Sequence, residues 1–134
     1  MLTADQRDFL EQKHFAVLGT TNASGSPHLT VMWYLLDGDE IVFNTKAGRT
    51  KEGNLERDPR VSLLVYAEDS YSYIRIDGKV RTITDQKTAQ ADIRRLASRY
   101  YQDEARVEKA VRENFGTQQR ISYRLPTTRV YDYR

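Results

Sequence analysis

The chain of 134 residues has no cysteine and only two histidines, His14 and His28. The missing thiols exclude disulfide scaffolds, iron–sulfur clusters, thiolate metal sites and cysteine nucleophiles. The two histidines show no paired metal-ligand spacing, so no metal site is predicted. Disulfides are typical of oxidising compartments, and their absence here predicts a cytoplasmic protein.

The sequence also has no long apolar run and little excess of charge. Its mean hydropathy is -0.72, so we expect neither a transmembrane helix nor a signal peptide. We therefore expect no membrane partner. The net charge of +2, from 21 Lys+Arg and 19 Asp+Glu, is too balanced for a dedicated nucleic-acid-binding protein. The length predicts one domain over residues 1–134.

Common nucleotide motifs are absent. The segment Gly48 to Gly53 has the two-glycine spacing of a phosphate loop, but Asn54 and Leu55 follow where Lys-Ser/Thr would be needed. No dinucleotide-binding fingerprint and no nucleophile elbow occur. The sequence therefore excludes the best-known triphosphate and hydrolase sites.

Hydrophobic periodicity and turn residues predict alternating strands and helices. The apolar segment 29–36 is predicted as one strand covered on both faces, and Asp37-Gly38 and Asp77-Gly78 as hairpin turns. These hairpins predict an α+β fold in which an antiparallel sheet closes into a small barrel. Helices are predicted at 3–12, 85–101 and 103–115, with a short one before Asp58-Pro59, and strands at 14–20, 29–36, 40–45, 60–66, 71–77, 79–84 and 120–131.

Positive charge is concentrated in a segment that joins a predicted strand to a predicted helix. Between residues 41 and 51, Lys46, Arg49 and Lys51 occur without an acidic residue, and Thr45 and Thr50 add hydroxyl groups. Helix N-termini favour anions, and Arg and Lys add charge-assisted hydrogen bonds. The segment is either a cradle for one phosphate or a solvated basic turn.

A second acid-free segment, residues 118–131, contains Arg120, Arg124 and Arg129. Strand alternation puts Arg120 and Arg124 on one face, and the spacing alone favours an outward polar face. The only tryptophan, Trp33, lies in the apolar segment 29–36, where it is either a core residue or a wall for a planar ring.

An ordered series of short motifs resembles the pyridoxamine-phosphate-oxidase-like split-barrel flavoproteins. More narrowly, the sequence is similar to their flavin/deazaflavin oxidoreductases of the B type. The most specific part of the series is Arg-x-Lys-x-x-Asn-Leu-x-x-Asp-Pro-Arg. The motifs are Phe15–Thr21 with Gly25–His28, Val31–Tyr34, Ile41–Thr45, Arg49–Lys51, Asn54–Arg60, Val61–Val65, Tyr71–Tyr73 and Gly78.

The resemblance implies an antiparallel split β-barrel that forms a homodimer, with two cofactor sites at the subunit interface. Strand residues 31–33 would line a flavin-type ring, and the loop after the third strand would hold the cofactor phosphate. The C-terminal strand of the partner subunit would complete the site. The implied cofactor-binding residues are Val31, Met32, Trp33, Asn44, Thr45, Lys46, Arg49, Thr50, Lys51, Arg124 and Arg129.

The resemblance favours the deazaflavin coenzyme F-420, whose tail is polyanionic, over FMN, which has one terminal phosphate. It implies an oxidoreductase that transfers a hydride from the reduced deazaflavin to a conjugated small molecule. An FMN-dependent oxidoreductase and a non-catalytic flavin- or deazaflavin-binding protein are the alternatives. No catalytic residue is assigned, since His28, Tyr34, Tyr73 or solvent could each donate a proton.

Overall fold

Nine strands and four helices alternate along residues Met1–Arg134, all of which are described by a computed structural model. The helices are short, apart from the third, which spans 16 residues. None of them combines the length and the apolar character needed to cross a lipid bilayer. In chain order the elements are α1 (Ala4–Glu11), β1 (Ala16–Thr21), β2 (Pro27–Met32), β3 (Leu35–Asp37), β4 (Glu40–Lys46), α2 (Thr50–Arg57), β5 (Arg60–Tyr66), β6 (Tyr73–Lys79), β7 (Arg81–Ile83), α3 (Gln86–Tyr101), α4 (Glu104–Glu113), β8 (Arg120–Pro126) and β9 (Arg129–Asp132).

The strands form two antiparallel sheets. One sheet has five strands in the order β2-β1-β5-β6-β9, and the other has four in the order β3-β4-β8-β7. The predicted α+β class with antiparallel strands is confirmed, whereas closure of the sheets into one barrel stays a prediction. Between the sheets lies a core cluster of 19 residues, and a smaller cluster of Leu35, Val42, Ile93 and Leu96 packs beneath α3.

Local sequence signals account for the helix starts. Thr3 caps α1 through a capping box with Gln6, Asp85 caps α3 by accepting from the Thr88 amide, and Asp103 caps α4. The predicted short helix before Asp58-Pro59 is α2. Residues before a proline are disfavoured in helices, so α2 ends where the sequence predicts.

The prediction of one strand over 29–36 is wrong. The chain leaves the five-stranded sheet after Met32 and enters the four-stranded sheet at Leu35. Between them, the Tyr34 side chain is fully buried, and its hydroxyl donates to the Leu10 carbonyl at 2.8 Å. Within the single chain only one face of β2 is covered, contrary to the prediction, because Leu29 and Val31 are 66% and 63% exposed.

The predicted hairpin at Asp77-Gly78 does not form. Strand β6 continues through Gly78, which pairs with Val61 of β5, and β7 pairs with β8 in the other sheet. A side chain at Gly78 would place its Cβ 3.1 Å from Leu125 Cδ1. This glycine therefore serves close packing between the two sheets instead of a tight turn.

The predicted closing strand over 120–131 is two strands, β8 and β9, which belong to different sheets. The turn between them is held by Thr127, whose hydroxyl donates to the Asp39 carbonyl at 2.7 Å. The prediction that Arg120 and Arg124 lie on an outward polar face is wrong, because they are only 7% and 9% exposed. Helix α3 packs on β8, so the second face of this strand is covered as well.

Candidate functional site

A pocket of about 410 Å³ opens where β2, β4, α2, α3 and β8 approach one another. Eight of the eleven cofactor-binding residues named from the sequence line it. They are Val31, Met32, Trp33, Asn44, Thr45, Lys46, Arg49 and Lys51. The other lining residues are Phe15, Ile93, Leu96, Phe115 and Arg120.

One end of the pocket is cationic. Strand β4 ends at Lys46, Gly48 turns the chain with a φ of 93°, and Arg49 is the N-cap residue of α2. Lys51 follows in the first turn of that helix, and Arg120 lies opposite Lys46 in the β4–β8 register. Two adjacent strands and one helix start thus bring four basic side chains to one place.

These four basic side chains have no counter-ion. None of them has a carboxylate oxygen within 4.0 Å, although eleven ion pairs occur elsewhere. Burial, together with the charges of Arg49 and Arg120, lowers the pKa of the Lys51 ammonium. Burial and Arg49 likewise lower the pKa of the Arg120 guanidinium. Uncompensated positive charge of this kind is stabilised by an anion.

The other end of the pocket has an aromatic wall. The Trp33 ring stacks on Tyr100 at 5.2 Å between ring centroids with an interplanar angle of 5°, and it meets Tyr101 edge-on at 5.1 Å. Phe15 stacks on Tyr100 at 5.4 Å. Tyr100 is itself held by hydrogen bonds that its hydroxyl makes with the backbone of Tyr34 and His14. The wall is therefore rigid and suits a flat, apolar ring.

Asn44 supports the cationic end and is almost completely buried. Its amide nitrogen donates to the Ala89 carbonyl at 3.0 Å and to Ser122 Oγ at 2.7 Å, while its Oδ1 accepts from Arg120 Nε at 2.9 Å. Arg120 Nη1 also donates to Gln118 Oε1 at 2.7 Å, and its guanidinium lies 5.2 Å from the Phe115 ring centroid. The Arg120 side chain is consequently fixed in one orientation.

Three of the residues named from the sequence do not line this pocket. Thr50 is exposed at the first position of α2. Arg124 is buried and forms an ion pair with Asp92 at 2.8 Å, and Arg129 is exposed on β9 opposite Asp77. The role of Arg124 and Arg129 toward a partner subunit stays a prediction.

Sequence reasoning missed Arg120 as a member of the site. The sequence feature that pointed to Arg120 was the acid-free segment 118–131. The alternation of side chains along a strand could not distinguish an arginine that faces solvent from one beneath a helix. Phe15, Ile93, Leu96 and Phe115 were missed because isolated apolar residues are ordinarily core residues. None of the three proton-donor candidates, His28, Tyr34 and Tyr73, lines the pocket.

Known proteins share this architecture. The chain is 29% identical to the conserved hypothetical protein Rv2991 from Mycobacterium tuberculosis, with a TM-score of 0.80 over 99% of this chain and 84% of that one. It resembles an F420 reductase at 22% identity and a TM-score of 0.76, covering 97% of this chain and 98% of that one. HupZ of Group A Streptococcus is 14% identical with a TM-score of 0.69, over 98% of this chain and 94% of that one.

The pattern of the pyridoxamine 5'-phosphate oxidase family (PNPOx_N) matches residues 2–128. That range includes every strand of both sheets except β9, as well as the whole lining of the pocket. The family is one of flavin-associated oxidoreductases. The chain therefore belongs to the pyridoxamine 5'-phosphate oxidase family.

Proposed function

We propose that this protein is an oxidoreductase that binds reduced coenzyme F-420 and uses it to reduce a conjugated small molecule. The observation that carries the proposal is the pocket itself, in which four basic side chains without counter-ions lie at one end and a rigid aromatic wall at the other. A flat ring joined to a polyanionic tail matches both ends. The F420 reductase of similar fold supports the same assignment.

Lys46, Arg49, Lys51 and Arg120 would hold the anionic tail. Desolvated anions need several charge-assisted donors, and this cluster offers them without a competing carboxylate. Val31, Met32 and Trp33 would lie along the ring and keep water from it. When bound, the reduced deazaflavin supplies a hydride, and the protein contributes position and exclusion of solvent. No side chain of the pocket is placed as a proton donor, so solvent is proposed in that role.

FMN is the alternative cofactor. Its single terminal phosphate would occupy the same cationic end, and the family to which the chain belongs is associated with FMN. The number of cations favours the longer anionic tail, since one phosphate does not need four basic partners. A protein that only binds the cofactor, without turnover, has the same pocket requirements.

We also propose a homodimer with its two cofactor sites near the subunit interface. Leu29 and Val31 are exposed side by side on the outer face of edge strand β2. Val17 and Leu64, which pair across the sheet on that face, extend the apolar surface. Exposed apolar surface of this kind marks an interaction site, and Val31 also lines the pocket. A second copy on this face would therefore border the cofactor.

The test is a fluorescence titration of the purified protein with coenzyme F-420 and, separately, with FMN. Tighter binding of coenzyme F-420 by tenfold or more, about 1.4 kcal/mol, is expected. If FMN binds equally tightly or more tightly, FMN becomes the proposed cofactor in place of the deazaflavin. If neither binds, the proposal is overturned. Oxidation of the bound reduced cofactor by a panel of enones, quinones and tetrapyrroles separates the enzyme from a binding protein.

A further inference from the structure

We propose that Asp92, a buried carboxylate outside the pocket, is a positioning residue for the cationic end, acting on Arg120 through Ser122 and Asn44. The inference rests on the proposed function, because it requires an anionic ligand at Arg120. Asp92 lies on α3, is 2% exposed and does not line the pocket. Its hydrogen bonds therefore reach a ligand only through other side chains.

A continuous series of hydrogen bonds joins Asp92 to Arg120. Ser122 Oγ lies 2.7 Å from Asp92 Oδ2 and 2.7 Å from Asn44 Nδ2, and Asn44 Oδ1 lies 2.9 Å from Arg120 Nε. Asn44 and Ser122 are cross-strand neighbours in β4 and β8, so the sheet register holds them together. Ser122 is fully buried and Asn44 nearly so, which excludes water as a competitor.

The ends of this series determine its direction. An ionised carboxylate only accepts hydrogen bonds and a guanidinium only donates them. Burial opposes ionisation of Asp92, but hydrogen bonds from Arg124 and Ser122 keep its pKa below the ordinary value. Ser122 must donate to Asp92 and hence accepts from the Asn44 amide, which directs Asn44 Oδ1 to Arg120. The Ala89 carbonyl, a second acceptor for the same amide nitrogen, favours the same orientation.

The network also separates two arginine roles. Arg124 Nη1 lies 2.8 Å from Asp92 Oδ2 and Arg95 Nη2 lies 3.1 Å from Asp92 Oδ1, so the carboxylate charge is compensated on α3 and β8. Arg120 has no carboxylate partner, and its Nη2 has no hydrogen-bond partner in the protein. The positive charge of Arg120 is thereby kept for a ligand while its Nε is held in place.

A double-mutant cycle tests the inference, with pyrophosphate and coenzyme F-420 as probes at fixed pH and salt concentration. Ser122→Ala interrupts the series, and Arg120→Ala removes its end. We expect the dissociation constants to rise by roughly 3- to 10-fold for Ser122→Ala and about 10- to 100-fold for Arg120→Ala. In the Arg120→Ala background, Ser122→Ala should change the dissociation constants by less than about twofold, because the effects of substitutions at coupled residues are not additive.

The matched control is Ser98→Ala on α3, since the Ser98 hydroxyl also donates to a carboxylate, that of Glu104 at 3.2 Å, away from the pocket. Its affinities should equal those of the wild type. Ser122→Cys keeps the side-chain shape with a weaker donor and serves if Ser122→Ala does not fold. Unchanged affinity in Ser122→Ala, or the same loss in both backgrounds, overturns the inference and leaves the proposed function standing. A wild-type protein that binds neither probe overturns both.

Discussion

At Lys51, burial and positive charge oppose each other. Its side chain is half-buried beside Arg49 and Arg120, without a carboxylate partner. A protein keeps such an arrangement at a cost in stability when a ligand compensates it. The free energy of anion binding should therefore depend strongly on this one ammonium group.

Replacing Lys51 by alanine is expected to weaken binding of coenzyme F-420 by roughly 10- to 100-fold, because one charge-assisted contact in a partly dry pocket is lost. Fluorescence titration of the cofactor measures the change. Lys109→Ala on the exposed face of α4 removes the same charge far from the pocket and should bind as the wild type does. Equal affinity of Lys51→Ala and wild type would contradict the role of Lys51.

The lowered pKa of Lys51 predicts a pH dependence of binding. An anion favours the protonated ammonium, so affinity should be constant at pH below the lowered pKa and fall as pH rises through it. Sulfate is a suitable probe because it does not titrate in this range, and the fluorescence of the single tryptophan, Trp33, can report its binding. In Lys51→Arg the charge persists, and the decline should disappear; a persistent decline would assign it to another group.

The same shift has a consequence for the unliganded protein. The folded-state pKa of Lys51 lies below its unfolded value, so holding the charged ammonium in the fold opposes folding at neutral pH. Stability should accordingly rise as pH increases through the lowered pKa. Urea unfolding of the wild type against Lys51→Ala over that range measures the difference, and parallel curves would rule the effect out.

At the scale of elements, two glycines of the helical regions have opposite roles. Gly53 lies inside α2, and a Cβ there would meet nothing within 4 Å. Gly116 follows α4 in a 3₁₀ turn, and a Cβ there would lie 2.5 Å from the Val111 carbonyl oxygen. The first glycine is therefore replaceable, whereas the second is required by close approach of the backbone.

Gly53→Ala should stabilise the protein by about 0.5–1 kcal/mol, because alanine loses less conformational entropy in a helix. Gly116→Ala should destabilise it by about 1–3 kcal/mol, since the turn must move away from Val111. Urea unfolding gives both free energies, and each variant is the control for the other. The same sign of change in both would contradict the packing described for these helices.

The whole molecule is expected to be a dimer through the outer face of the five-stranded sheet. Leu29→Glu places a charge in the apolar surface beside Val31 and should convert dimers to monomers in sedimentation velocity. Tyr71→Glu, at a residue 99% exposed in a loop, is the control and should leave the assembly unchanged. A wild-type protein that sediments as a monomer would contradict the dimer.

Local patterns in the sequence determined much of this protein. Several features depend only on neighbours along the chain. They are the helix caps at Thr3, Asp85 and Asp103, the helix end before Pro59, the strand at 60–66, and the basic residues Lys46, Arg49 and Lys51 after a strand. Such short-range effects act through spacing and backbone preferences, which the sequence displays directly. The family series adds the prediction that this basic segment binds a cofactor phosphate.

Only the tertiary structure decided how strands are shared between the two sheets. The segments 29–36 and 120–131 each look continuous in sequence, but burial of Tyr34 and the turn at Thr127 divide them between sheets. The covering of β8 by α3 likewise turned two predicted surface arginines into buried ones with different partners. Arg124 pairs with Asp92, whereas Arg120 is hydrogen-bonded to Asn44 and has no carboxylate partner. Alternation along a strand distinguishes two faces, but what packs on each face is a long-range property that spacing does not contain.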